Sequence, residues 1–115
     1  MLVLDSRQMQ QLHARTEPAR DLALVRYARE RFGERFAART DESLLGGVRM
    51  ARQSARRWGI EEESGVACVF DLMVMYGARF AEEAWASDIL QDASLAGAAK
   101  VERLRTRVRR TLPAF

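Results

Sequence analysis

A chain of 115 residues, 48% apolar and 30% charged, has the balance of an ordinary globular protein and the length of one domain with a modest core. Uninterrupted apolar stretches such as Val66 to Phe70 fall far short of the roughly 20 residues that a membrane span needs, so no membrane-spanning helix is expected. The net charge of +3 conceals a segregation: residues 1–58 carry 12 Arg against 7 acids, residues 59–98 carry one Arg against 8 acids, and residues 99–115 carry six basic residues against Glu102.

At the N-terminus Met1-Leu2-Val3-Leu4 runs into Asp5 and polar residues, so no secretory signal is expected. The first predicted helix runs from Ser6 to about Arg15, capped by Asp5 or Ser6, with Met9, Leu12 and His13 on one side. Pro18 suits the first turn of a second helix, in which Leu24, Val25, Ala28 and Phe32 follow the 3.6-residue period. Gly33 ends it, and Phe36 is expected to start a short turn to Arg39. Thr40 or Asp41 then caps a helix whose stripe is Leu44, Val48, Ala51, Ala55 and Trp58, with Gly59 as its stop. Gly46 and Gly47 inside it point to a tight helix crossing or a frayed first turn, and leave self-association through this helix open.

The stretch from about residue 62 to 77 is the most apolar in the chain, with only Asp71 charged inside Gly65–Gly77. Apolar residues fall on nearly every side, so it must be surrounded by other elements. Glu61, Glu62 and Glu63 before it complement the helix dipole, and Gly77 ends it. Asp71 falls on the small-residue side, with water or Arg79 as its expected company. A loop from Ala78 to Glu83 carries Phe80, and a short helix turns Trp85, Ile89 and Leu90 inward. Asp92 and Ser94 are expected to cap a last helix with the stripe Val101, Leu104, Val108 and Leu112, stopped by Pro113. No segment alternates with period two for long enough to be a strand. The predicted fold is therefore all-α, a single domain over residues 1–115 with five to six helices around the central one.

The chemistry-bearing residues are sparse. Cys68, the only cysteine, lies in the apolar run, where a free thiol behaves as a small buried hydrophobe; no internal disulfide can form, which fits a reducing cytoplasm. His13 is the only histidine, so neither a metal site nor a Ser-His arrangement has visible partners. Adjacent Glu82 and Glu83 point different ways and suit solvent better than a hydrolytic pair. Gly46-Gly47 lacks the Lys-Ser/Thr of a phosphate loop. No catalytic residue, metal or cofactor is expected, and the chain is read as a non-enzyme. Arg49, Arg52 and Arg56 share one helix face, as do Arg103, Arg107 and Arg110. Few side chains suited to base edges accompany them, only Gln53 and Ser54, so solvated basic faces are preferred to nucleic-acid binding.

From Trp58 onward the pattern is Gly59-Ile60, an acidic helix start, Phe70-Asp71-Leu72-Met73, Gly77, Phe80, Trp85-Ala86 and Ile89-Leu90. Upstream stand Arg31-Phe32-Gly33-Glu34-Arg35-Phe36 and Arg57-Trp58. Together they resemble small helical proteins encoded beside the VgrG and PAAR spike proteins of bacterial type VI secretion clusters. The segment Arg79 to Ala84 departs from that pattern, being shorter and lacking a Pro before Trp85-Ala86. The resemblance implies an accessory role: an adaptor or co-chaperone that binds an effector, its chaperone or the spike, in the cytoplasm. Trp58, Tyr76, Phe80 and Trp85, framed by Glu82 and Glu83, are the expected partner-binding residues, although each aromatic also suits the core. The alternatives are an immunity protein that neutralises a secreted toxin through the acidic segment Glu61 to Asp92, and a DNA-binding regulator that uses Arg49, Arg52 and Arg56.

Overall fold

A computed structural model of the chain describes residues 16–111, with side chains described as far as residue 108. The helix expected at Ser6–Arg15, with Met9, Leu12 and His13, lies outside the described residues, as do Leu112 and Pro113; the side chain of Arg110 is also outside them. Within them five α-helices follow one another: α1 (Glu17–Phe32), α2 (Asp41–Arg57), α3 (Glu63–Tyr76), α4 (Ala84–Leu90) and α5 (Gly97–Thr111). Single 3₁₀ turns, Gly33–Phe36 and Phe80–Glu82, interrupt the connections, and no strand occurs among the described residues. The all-α bundle read from the sequence is the observed architecture.

Pro18 sits in the first turn of α1, where its missing N–H costs nothing, and the helix ends at Gly33. The turn begins there, three residues earlier than expected, because its last residue, Phe36, carries a ring into the core. That ring stacks edge-on against Phe32 (centroids 5.3 Å apart) and lies 6.3 Å from Phe70 of α3. Arg29 closes the connection to α2: its Nε donates to Asp41 Oδ1 (2.8 Å), and its two amino groups donate to the carbonyls of Phe36 (3.1 Å) and Arg39 (2.7 Å).

Thr40 caps α2, its hydroxyl oxygen accepting from the Ser43 N–H at 3.1 Å. Leu44, Val48, Ala51 and Ala55 are all buried, as the spacing predicts. At the other end Gly59 has φ +74, and the paired bonds Gly59 N–H to Arg56 O and Ile60 N–H to Ala55 O form a Schellman closure. Of the two readings of Gly46-Gly47, the tight crossing is the one found. Gly47 leaves room for the Phe70 ring, and a Cβ there would lie 3.1 Å from it.

Helix α3 is the surrounded one. Every residue from Gly65 to Leu72 is buried, and α2, α5 and the Phe80 turn pack around it. The Gly77 N–H closes on Met73 O at 2.9 Å, ending the helix at the expected place. The start of α5 differs from expectation. Asp92 Oδ1 accepts from both the N–H (2.9 Å) and the hydroxyl (2.6 Å) of Ser94, which makes a local turn, and the helix itself begins only at Gly97.

Candidate functional site

Four of the six residues expected to bind a partner are rings, and the structure gathers them into one row. Trp58 at the end of α2 meets Phe80 edge-on (6.3 Å), Phe80 meets Trp85 of α4 (6.3 Å), and Trp85 meets Tyr76 at the end of α3 edge-on (5.5 Å). The row exists because α2, α3 and α4 end or begin at the same side of the bundle and the Phe80–Glu82 turn lays its ring between them. Its members are not equivalent. Phe80 is 2% exposed and belongs to the core, which corrects its expected role as a contact residue; a ring that size contributes most by leaving water. Trp58 and Trp85 are half-buried, and Tyr76 is exposed.

Glu82 and Glu83 flank the row and are exposed. Arg79 forms a fork to both carboxylate oxygens of Glu82 and thereby holds its carboxyl below the usual range. Glu83 occupies the N-cap position of α4 without a side-chain capping bond. An open groove of about 510 Å³ runs beside Trp58 and is walled by Arg57, Arg79, Glu82 and Gln91.

Beneath this row lies a feature that sequence reasoning missed. Lys100, the only lysine in the chain, is buried on α5, and its Nζ donates to Trp58 O (2.9 Å) and Leu90 O (2.9 Å). These are carbonyls at the C-terminal ends of α2 and α4, where a cation also meets the negative ends of both helix dipoles. One ammonium thus fixes the backbone under Trp58 and the far end of the helix that carries Trp85.

Of the basic stripe of α2, Arg49 and Arg56 are exposed as a solvated face requires, but Arg52 between them is not. Arg52 is 4% exposed; its Nε donates to Asp21 Oδ1 of α1 (2.8 Å), and its two amino groups grip both oxygens of Glu63, one at 2.7 Å. Asp21 and Glu63 are equally buried, so Glu63 does not act as an exposed acid before α3. Arg20 approaches Glu63 (3.7 Å), Arg49 approaches Asp21 (4.0 Å), and Arg56 bonds Glu17. The hydrogen bonds that Arg52 donates to Glu63 and Asp21 together outweigh its burial, so its guanidinium is held even more firmly charged than usual.

Asp71 is likewise buried. It pairs with Arg31 of α1 (3.8 Å), whereas Arg79, its expected partner, is engaged with Glu82. Cys68 is buried as expected, and burial pushes its thiol from an ordinary 9.0 up to about 11, which leaves it protonated and inert. Among the described residues no three His, Cys, Asp or Glu converge as metal ligands do, and no helix is long and apolar enough to cross a membrane.

Fold and side chains together define a helical bundle with a ring-lined rim, pinned from below by one lysine. No protein-family model, no curated protein and no solved structure matches the chain.

Proposed function

We propose that the protein acts by binding another protein, as a non-enzymatic accessory of a type VI secretion system working in the cytoplasm. Its partner is an effector, an effector chaperone or the VgrG/PAAR spike. The observation that supports this reading is the aromatic row. It keeps Tyr76 and the edges of Trp58 and Trp85 at the surface over a buried Phe80, beside exposed Glu82 and Glu83. Large rings with one face packed and one edge wet are the usual anchors of protein interfaces. The burial of Arg52 between Asp21 and Glu63 weighs against the DNA-binding alternative, because it takes the middle guanidinium of the three out of reach of a phosphate backbone.

Capture of partners from the native bacterial cytoplasm, with wild-type protein and a Tyr76→Ala/Trp85→Ala variant side by side, tests this. The expected result is a secretion-system protein held by the wild type and lost by the variant, with helical content unchanged. A lone toxin among the captured proteins replaces the reading by the immunity alternative. Nucleic acid without a protein replaces it by the regulator.

A further inference from the structure

The turn between α2 and α3 packs against the first half of α5 so closely that side chains are excluded. A Cβ at Gly97 would collide with the carbonyl oxygen of Gly59, and one at Gly65 with the Ile60 side chain. The result is a half-enclosed groove of about 290 Å³ whose floor includes Ile60, Val101 and these glycine backbones. Its charged lining is unbalanced: Glu61, Glu62 and Glu102 border it with a single guanidinium, that of Arg105, a net of two negative charges, although Glu61 also borders the adjoining pocket of Arg20, Arg52 and Arg56. Arg105 bonds Glu102 (3.1 Å), but Glu61 and Glu62 have no ion-pair partner among the described residues, in a chain where 18 of 19 basic residues are arginine.

We propose that this groove is a socket for an arginine side chain presented by a protein partner. The apolar floor suits the three-methylene stem, and the rim carboxylates suit a planar cation that can face two acceptors at once and is less strongly hydrated than an ammonium. The socket is preformed, because Lys100 ties α5 to the end of α2 one residue before its glycine turn. The assignment rests on the protein-binding reading only for the origin of the arginine. The groove itself is tested with a free probe, so failure here and failure of partner capture are read separately.

The test is a titration of the full chain with N-acetyl-arginine amide, followed by backbone amide chemical shifts, with N-acetyl-citrulline amide as the uncharged isostere. The expected shifts gather at residues 59–65 and 97–102, weaken with added salt, and are absent for citrulline. Two variants remove the site independently: Glu61→Gln/Glu62→Gln takes away charge at exposed positions, and Ala98→Leu fills the groove without touching charge. Each is expected to weaken the probe by about tenfold while leaving the remaining amide spectrum in place. Equal response to citrulline, or shifts spread evenly to Glu83 and Asp88, overturns the proposal. Tighter probe binding on replacing Arg7 and Arg15 with Gln identifies the chain's own arginines as the occupants and overturns the assignment to a partner.

Discussion

Around Arg52 three helices meet through charge, and around Phe80 three elements meet through rings. The first contact is directional: a planar guanidinium bonded to Asp21 of α1 and Glu63 of α3 permits one placement of those helices on α2. Its net contribution to stability is small, because taking three charges out of water offsets most of their attraction. The second contact is less directional but strongly favourable, since a buried Phe and two half-buried Trp leave water without any charge to desolvate. One side of the molecule therefore specifies, and the other side holds. The holding side keeps part of its rings, those of Trp58, Trp85 and Tyr76, at the surface.

That contrast can be broken from either side. Glu63→Ala leaves Arg52 buried beside a cavity and should cost about 3–5 kcal/mol in urea unfolding. Replacing Asp21, Arg52 and Glu63 together by Leu, Met and Leu should return most of that loss; a triple variant as unstable as the single one would show that the charges do more than specify. Phe80→Ala should cost about 3 kcal/mol, and no compensating substitution on its neighbours should restore it, because the lost term is burial itself. Lys100→Met leaves the carbonyls of Trp58 and Leu90 without their donor and should cost about 2 kcal/mol, read as a fall in thermal midpoint.

Cys68 sharpens the comparison through pH. Its thiol is neutral in both states below the ordinary 9.0, so its burial contributes fully there; between 9.0 and about 11 the unfolded chain ionises first and that contribution is lost. Wild-type protein should therefore lose about 2 kcal/mol more than Cys68→Ala as pH rises through this window. The smallest effect belongs to an exposed charge: Arg56→Ala, which removes the bond to Glu17, should cost under about 1 kcal/mol and vanish in high salt.

The helices were legible because their punctuation is local. Pro18, Thr40, Gly59 and Gly77 each act within one turn, and the apolar stripes repeat at the helical period. The buried charges were not, because an arginine three or four residues from another arginine reads as one solvated face. A usable signal was nevertheless present. Asp21 is in phase with Leu24, Val25 and Ala28, Arg52 with Val48 and Ala55, Glu63 with Val66, Ala67 and Phe70, and Lys100 with Leu104. A charge in register with an apolar stripe, matched by opposite charges in register elsewhere, marks a buried bond rather than a surface. The ring row was legible as a partly exposed aromatic patch, but not which of its rings lies inside. Which ring turns inward depends on the Phe80–Glu82 turn, which has no periodicity to read.

The single lysine has one further consequence. With its nitrogen bonded to two backbone carbonyls and its side chain almost wholly enclosed, the folded chain offers acylating reagents, amine cross-linkers and lysine-directed degradation tags no side-chain amine to attack. Modification at Lys100 is then a clock for how often α5 lifts away from the ends of α2 and α4, and a cell that removes this protein through lysine tagging must first wait for it to open.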